Sequence, residues 1–386
     1  MALGASALGL LAHCGFPEYS FRAEGGGAAG ASSGAAGLAG GAGAGGGAGL
    51  GGSAGALAGQ SGAAGAGGGP VCPDCEPFVV AVASAPVLSL FGDDTSVFWS
   101  EFDFTSGVSA VRSADRRGGS GETKTILTDE IDQGTSLTLL AGDDEALYAT
   151  NFPQGQVLRV AKAGGSSEVL LDGSNGNVFV FLRKSENFVF GLRFPLPPNP
   201  GDFARPPGDV FRVPAGGGSA LRLNQNQGQI FDLVGTENDE ALLIDEGNNI
   251  TRVDRDAMSG AFESSQFLPG VGGTPPPFDV LPEGDAYYIL TPVSVQRLPR
   301  GGGRDQLVSL AGAESSSRFL QVDGDSLYWL RVQGTNTFAE LRTVPKAGGE
   351  PRTIAPQVLP ASLRVRGGVA FWVGLDQVSI MGQRLR

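Results

Sequence analysis

The sequence has 386 residues, of which 63 are glycine and 41% are hydrophobic, so its length is ample for one large core. Its 40 acidic residues outnumber its 27 basic ones, which gives a formal net charge of −13 at pH 7. This negative charge argues against nucleic acid and anionic lipid as binding partners.

Residues 1–14 are predicted to be an export signal. The apolar run ends in Leu10-Leu11-Ala12-His13-Cys14, which resembles a bacterial lipoprotein signal whose cysteine receives the lipid. His13 stands where such signals usually have a small residue, and no Lys or Arg precedes the run. We therefore prefer lipidation of Cys14 and keep an ordinary cleaved signal, or no export, as alternatives. The stretch is too short to span a membrane as a helix.

Residues 15–77 are predicted to be a disordered tether, because residues 25–69 are almost entirely Gly, Ala and Ser. Such a segment buries too little apolar area to offset the entropy of an ordered backbone. Near its end, Cys72 and Cys75 are predicted to form a local disulfide at the junction with the folded domain. A metal site would need a second cysteine pair, which the sequence lacks, and a redox role is the remaining alternative.

Residues 78–386 repeat one sequence pattern seven times: a short apolar strand, an Asp/Gly turn, and a strand with a central aromatic or apolar residue. The repeat positions are Phe98, Tyr148, Phe190, Leu243, Tyr288, Tyr328 and Phe371. Their spacing is close to the roughly 40–45 residues of a propeller blade. A further strand with a Gly-Gly hairpin follows most copies. We predict an all-β propeller with seven blades of four antiparallel strands, A to D, with six or eight blades as alternatives.

The last repeat, from Ser362 to Arg386, has room for strands A, B and C only. Its fourth strand is predicted to be Phe78-Val79-Val80-Ala81-Val82-Ala83, which precedes the first strand A, Val87-Leu88-Ser89-Leu90. Closure by this N-terminal strand would leave no open sheet edge at the joint between the last and first blades.

Two insertions interrupt the repeat and indicate a binding face. Residues 195–207 contain six prolines between strands B and C of the third blade, and residues 270–277 connect two blades. Both connections are expected on the same face of a propeller, where loops usually carry function. Phe203 and Arg205 are residue types that anchor interfaces, and we predict that they bind a partner. Tolerated insertion without function is the alternative.

The residues available for chemistry are restricted. The only histidine is His13, so a Ser-His-Asp triad and a His-ligated metal site are excluded for the propeller. The recurring turn acids, such as Asp93, Asp143 and Asp323, are predicted to stabilise turns through their own backbone, with calcium binding as the alternative. No catalytic residue, metal ligand or cofactor is predicted.

Two further sets of residues recur on equivalent strands, and both are predicted to be structural. The arginines of strand C are expected to serve packing between neighbouring blades rather than an anion-binding ring; they are Arg112, Arg159, Arg212, Arg252, Arg297 and Arg342. The tryptophans of strand B, Trp99, Trp329 and Trp372, are expected in the blade cores.

The strands Leu327-Tyr328-Trp329-Leu330 and Val97-Phe98-Trp99-Ser100 resemble YWTD-type and TolB-like propeller repeats across residues 78–386. The full Tyr-Trp-Thr-Asp tetrad does not occur, so the role of its Asp is not carried over. The resemblance implies a protein that mostly binds proteins or envelope partners, and less often an enzyme.

We therefore predict a non-enzymatic monomer, exported to the envelope or surface of a Gram-negative bacterium, that binds a protein or glycan through its loop-bearing face. Its only membrane contact would be a lipid anchor. One alternative is a carboxylate-dependent or calcium-dependent hydrolase or lyase, which would need paired acids in the central channel. A purely structural spacer is the other.

Overall fold

The protein is described by a computed structural model that covers residues 76–119, 122–129, 136–152, 154–173, 177–195, 208–223, 230–245, 250–253, 264–268, 279–291, 294–299, 305–309, 316–332, 338–360 and 362–385. The regular secondary structure of these residues is entirely β. Among them, no helix is long and apolar enough to cross a membrane. The predictions for Cys14, Cys72, Cys75, Phe203 and Arg205 fall outside the described residues.

The described strands form seven antiparallel sheets of four strands, and each sheet is one blade. The innermost strands A of blades 1 to 7 are β2 (Val87–Gly92), β6 (Ser136–Gly142), β10 (Asn177–Lys184), β14 (Ile230–Glu237), β18 (Asp279–Glu283), β22 (Ser316–Asp323) and β26 (Leu363–Arg366). The strands B are β3 (Ser96–Asp103), β7 (Ala146–Phe152), β11 (Phe188–Pro195), β15 (Glu240–Asp245), β19 (Ala286–Leu290), β23 (Ser326–Val332) and β27 (Val369–Val373). The strands C are β4 (Val108–Asp115), β8 (Gln156–Ala161), β12 (Asp209–Pro214), β16 (Ile250–Val253), β20 (Ser294–Pro299), β24 (Ala339–Pro345) and β28 (Ser379–Arg384). The outermost strands D are β5 (Lys124–Asp129), β9 (Ser167–Leu171), β13 (Leu221–Arg222), β17 (Ser264–Leu268), β21 (Asp305–Ser309), β25 (Arg352–Val358) and, in blade 7, β1 (Phe78–Val82).

Closure of the ring follows the prediction. β1 pairs antiparallel with β28, with Phe78 opposite Gly382 and Val82 opposite Ser379. Strand A of each blade lies beside strand A of the next, and β26 lies beside β2, which completes the circle. The fold is a seven-bladed β-propeller.

The hydrophobic core is divided among the contacts between blades. The described residues form seven clusters of buried apolar side chains, one between each pair of neighbouring blades. This division arises because successive side chains of a strand point to opposite faces of its sheet, and each face meets a different blade. Trp99 and Trp329 are fully buried and Trp372 nearly so, which confirms that the tryptophans belong to the core.

In blade 4 the repeat position is Leu242, not Leu243 as the spacing predicted. Leu242 pairs with Arg252 and packs toward blade 5, whereas Leu243 faces blade 3 beside Phe190. The two-residue turn after β14 explains the shift. Asn238 and Asp239 both have positive φ, and Leu242 is the third residue after them, as Tyr328 is after the two-residue turn of blade 6.

Candidate functional site

The propeller has two faces with different chemistry. The A–B and C–D turns emerge on one face, which we call the turn face. The B–C and D–A loops emerge on the other, which we call the loop face. On the loop face, Ala83 N donates to Val378 O at 2.8 Å, which joins the D–A loop after β1 to the B–C loop of blade 7.

Two A–B turns on the turn face confirm the predicted turn role of aspartate. Asp93 Oδ1 accepts hydrogen bonds from the N–H groups of Thr95 and Ser96, both at 2.8 Å. Asp143 Oδ1 does the same for the two residues that end its own turn. Within the described ranges, no group of three or more His, Cys, Asp or Glu side chains is placed to hold a metal ion.

The lysine that directly follows strand C reaches back to the A–B turn of the preceding blade. Lys162 Nζ lies 2.6 Å from Asp93 Oδ2, which links blade 2 to blade 1. Lys346 Nζ lies 3.1 Å from Glu283 Oε1, which links blade 6 to blade 5. We call these contacts the blade latches. Both sites share the sequence Lys-Ala-Gly-Gly, a signal in the sequence that could have indicated them.

At the joint between blades 1 and 7, Arg116 has the equivalent position after strand C. Its Nη2 donates to the carbonyl oxygens of Arg366 at 2.7 Å and Gly367 at 3.0 Å. Arg366 Nε in turn donates to Asp94 Oδ1 at 2.9 Å. The first and last blades are therefore joined on the turn face by two arginines that point in opposite directions.

The latch at Lys162 predicts a specific acid sensitivity. Burial of Asp93 opposes ionisation, but hydrogen bonds from Lys162, Thr95 and Ser96 outweigh it and hold the pKa of Asp93 at about 2, below its usual 3.8. Because the folded-state pKa is depressed, the contribution to stability is complete above pH 3.8 and is lost as the pH falls toward 2.

We expect urea unfolding measured from about pH 6 to about pH 2 to show a smaller acid loss of stability in Lys162→Met than in the unsubstituted protein. Lys124→Met is the matched control, since Lys124 Nζ donates to the carbonyl oxygen of Ala163 rather than to a carboxylate. An acid profile of Lys162→Met that parallels the unsubstituted profile would contradict the assignment.

The recurring arginines of strand C form ion pairs within their own blades. One of them also makes the predicted contact between neighbouring blades, since Arg252 Nη2 of blade 4 donates to Tyr287 Oη of blade 5 at 2.6 Å. The ion pairs are Arg112–Glu101, Arg159–Glu145, Arg252–Glu240, Arg297–Asp285 and Arg342–Glu340. The guanidinium carbon of Arg212 lies 4.6 Å from the centre of the Phe188 ring. These contacts support the predicted structural role of the set rather than an anion-binding ring.

One of these pairs is buried and supports the closure of the propeller. The Glu101 side chain is only 3% exposed and forms an ion pair with Arg112. It accepts hydrogen bonds from Ser84 Oγ at 2.6 Å and Ser84 N at 3.2 Å, and from Trp99 Nε1 at 3.1 Å. Burial opposes ionisation of Glu101, but these donors outweigh it and lower its pKa. Ser84 lies between β1 and β2, so Glu101 fixes the segment that follows the closing strand.

Charged side chains meet across the central channel. Arg183 of blade 3 reaches Asp279 of blade 5, with Nη2 and Oδ1 3.4 Å apart, so this ion pair passes over blade 4. Arg364 of blade 7 is close enough to interact electrostatically with both charges. Burial, and after it the positive charge of Arg183, lower the pKa of Arg364 to about 10, while Asp279 acts in the opposite direction.

A cavity of about 490 Å³ opens on the turn face, at the mouth of this channel. Strand A residues of three consecutive blades line it, among them Leu281, Gln321 and Val365. Its rim carries Asp94, Glu283, Asp323 and Arg366. Among the described residues, the rim therefore carries three acidic side chains and one basic side chain.

The loop face presents apolar side chains to solvent. Phe104, Phe338 and Leu375 are exposed, and each lies in the B–C loop of a different blade. These are blades 1, 6 and 7, which are neighbours in the ring. We call the three residues the apolar trio. Sequence reasoning missed them, although an aromatic residue inside the polar turn Asp103-Phe104-Thr105-Ser106-Gly107 is a signal that could have been used.

Hydrogen bonds hold two of the trio's loops in fixed shapes. Asp103 Oδ1 accepts from Thr105 N at 2.8 Å, and Gly107 N donates to the carbonyl of Asp103 at 2.7 Å, which closes the turn that carries Phe104. Asp376 Oδ1 accepts from Ser379 N at 2.9 Å in the turn that carries Leu375. Phe104 and Leu375 are thus presented on turns that hydrogen bonds hold in place.

Comparison with known proteins shows the fold of this chain but no family to which it belongs. No protein family model matches the chain, and no curated protein sequence matches it. Virginiamycin B lyase from Staphylococcus aureus is similar in structure, with a TM-score of 0.56 and 9% identity over 81% of this chain and 99% of that one. YCF48 bound to D1 peptide has a TM-score of 0.53 and 11% identity, over 82% of this chain and 96% of that one. The Neurospora crassa Pan2 WD40 domain has a TM-score of 0.53 and 10% identity, over 82% of this chain and 99% of that one.

Proposed function

We propose that this propeller is a binding module for a protein partner, which docks on the loop face across blades 6, 7 and 1. The observation that supports the proposal is the apolar trio, Phe104, Phe338 and Leu375. Interfaces are centred on such apolar and aromatic anchors, because their burial supplies most of the binding free energy.

Rigidity supports this choice of surface. The D–A loop before β2 is joined to the B–C loop of blade 7 by Val87 N, which donates to Gln377 O at 2.8 Å. It is joined to strand B of blade 1 by Phe102 N, which donates to Pro86 O at 3.1 Å. The Phe104 ring lies edge-on to Phe102 with centroids 5.0 Å apart. A surface that is already ordered loses little conformational entropy when a partner binds.

The charge around the trio indicates what the partner should carry. The exposed carboxylates of Asp103 and Asp376 flank Phe104 and Leu375 in sequence, and hydrogen bonds within their turns lower the pKa of both. The matching surface would be apolar at its centre and basic at its rim. YCF48, a propeller of similar fold, was solved with a bound peptide, which supports the use of this scaffold for a protein ligand.

The finer parts of the proposal rest on sequence alone. Export to the cell envelope, with Cys14 as the lipid attachment site, depends on residues 1–14. A contribution from Phe203 and Arg205, on a B–C loop of the same face, depends on their residue types and the position of the insertion.

A serine variant of the trio tests the proposal. The full chain is used to enrich partners from extract of the native cells, beside a variant with Phe104, Phe338 and Leu375 replaced by serine. The matched control carries serine at Val79, Val82 and Val169, which are apolar residues at least as exposed as the trio, on the outer strands β1 and β9. We expect a partner that the unsubstituted protein and the control retain and the trio variant loses.

Affinity measured with the purified partner should fall at least about 100-fold in the trio variant, since interface anchors each contribute about 2 kcal/mol or more. Equal affinity of the trio variant and the control would contradict docking on these blades. In that case, replacement of residues 195–207 by a short Gly-Ser turn would show whether the insertion carries the contact instead.

A further inference from the structure

One position on the turn face recurs as a carboxylate that binds a lysine of the next blade. It lies five residues before the repeat position of strand B. Three ion pairs share this arrangement, with nitrogen and oxygen 2.6, 3.4 and 3.1 Å apart; they are Asp93–Lys162, Asp143–Lys184 and Glu283–Lys346. Together they engage three of the four lysines in the sequence. The propeller thus uses this position to bind an ammonium group.

Asp323 of blade 6 has the same position, but blade 7 contains no lysine to bind it. The residue of blade 7 equivalent to Lys162 and Lys346 is Leu385. In all three, the backbone N–H donates to the carbonyl oxygen of the residue just before strand B. The Leu385 side chain packs against the hydrophobic cluster between blades 6 and 7. This joint therefore has the acid of a blade latch without its lysine.

The contacts of Asp323 leave room for an ammonium group. Its Oδ2 accepts from Gly368 N at 2.7 Å, and within the described ranges no side chain forms an ion pair with it. Arg366 interacts with Asp323 electrostatically. However, the guanidinium of Arg366 donates to both oxygens of Asp94, at 2.9 and 3.3 Å. The second oxygen of Asp323, Oδ1, is thus available as an acceptor.

Asp323 lines the cavity of about 490 Å³ on the turn face. Leu281, Val322 and Val365 line the same cavity and give it apolar walls. Such walls suit an aliphatic chain, as the methylene stem of a lysine packs along apolar surface while its charged end stays in a polar place.

We propose that this cavity binds a primary ammonium group on an aliphatic stem, which takes the place of the missing latch lysine at Asp323. An ammonium suits a single carboxylate, because it is a compact charge with three donors that can rotate toward the acceptor. A small aliphatic amine and a lysine side chain of a peptide share this chemistry. The site lies on the opposite face from the apolar trio, so it does not depend on the proposed function.

Isothermal titration of the full chain tests the site with Nα-acetyl-lysine methylamide as the probe. The same compound acetylated on Nε is the neutral comparator, and pentylamine represents a free amine. We expect saturable binding of the probe and none of the neutral compound, and the tighter binder of the probe and pentylamine identifies the source of the ammonium.

Replacement of Asp323 tests the acceptor. Asp323→Asn should weaken binding of the probe by about tenfold or more, since it removes the charge that strengthens the hydrogen bond. Asp325→Asn is the matched control, because Asp325 is an exposed acid of the same turn that does not line the cavity. It should leave the affinity unchanged.

Leu385→Lys supplies the missing lysine and keeps the test decisive if Asp323→Asn folds poorly. We expect it to occupy Asp323, weaken probe binding by about tenfold or more, and unfold at a higher urea concentration than the uncharged control Leu385→Gln. A loss of binding that accompanies higher stability cannot result from misfolding. The proposal is overturned if the unsubstituted protein shows no saturable binding, if the neutral compound binds as well as the probe, or if Leu385→Lys binds the probe as tightly as Leu385→Gln does.

Discussion

Replacement of Glu101 by alanine is expected to lower the free energy of unfolding by about 3–5 kcal/mol, the usual cost of removing one partner of a buried ion pair. Four donor groups lose their acceptor at once: Arg112 Nε, Trp99 Nε1, and the N–H and Oγ of Ser84. Trp99 is fully buried, so its N–H is left without a partner in the core. Urea unfolding followed by tryptophan fluorescence measures the change.

Glu145→Ala is the matched control for this result. Glu145 is also the acidic partner of a strand C arginine, Arg159, but its side chain is 85% exposed and the pair is 3.7 Å long. We expect a change within about 0.5 kcal/mol, as for most surface substitutions. Similar losses in the two variants would mean that burial of Glu101 does not matter. Glu101→Gln, which keeps one acceptor oxygen, should fall between them.

An aspartate at position 80 is expected to open the propeller. Val80 lies on the closing strand β1, is 3% exposed, and packs in the cluster that joins blade 7 to blade 1. Val80→Asp places a charge there without a partner, which costs about 3–5 kcal/mol. The strand should then leave β28 and expose that strand's edge, which favours association between molecules. Limited proteolysis near β1 and size-exclusion chromatography detect both effects.

Val82→Asp is the control on the same strand, because Val82 is 61% exposed. We expect it to remain closed and to change stability by no more than about 0.5 kcal/mol. If Val80→Asp resists proteolysis as well as Val82→Asp does, β1 is not what keeps the ring shut.

Much of the fold was predictable because each blade forms the same strands and turns from similar residues. The apolar strands, the turn aspartates and the Gly-Gly hairpins repeat at blade spacing, so the number of blades and the closure by the N-terminal strand follow from the sequence. The one misplaced position, Leu243, arose because blade 4 has neighbouring leucines and the spacing alone does not say which of them follows the turn by three residues.

The sites were predicted less well, because they depend on residues far apart in the chain. Arg183, Asp279 and Arg364 belong to three blades, and only the ring brings them together. The hydrogen bonds around Glu101 likewise need Ser84 from the D–A loop. The predicted partner-binding residues, Phe203 and Arg205, lie outside the described part, and their role stays a prediction.

Pairing of β1 with β28 also sets an order in time. During synthesis β1 is the first strand of the propeller to leave the ribosome, and β28, its partner, is the last of its strands. At typical rates of about 5–20 residues per second, β1 waits for roughly 15–60 s with neither of its hydrogen-bonding edges paired, because β28 is the strand with which it pairs. Six blades can assemble from neighbouring segments in the meantime, whereas the seventh needs both ends of the domain. We therefore expect the joint between blades 7 and 1 to form last, and a chaperone that shields an exposed strand to act there.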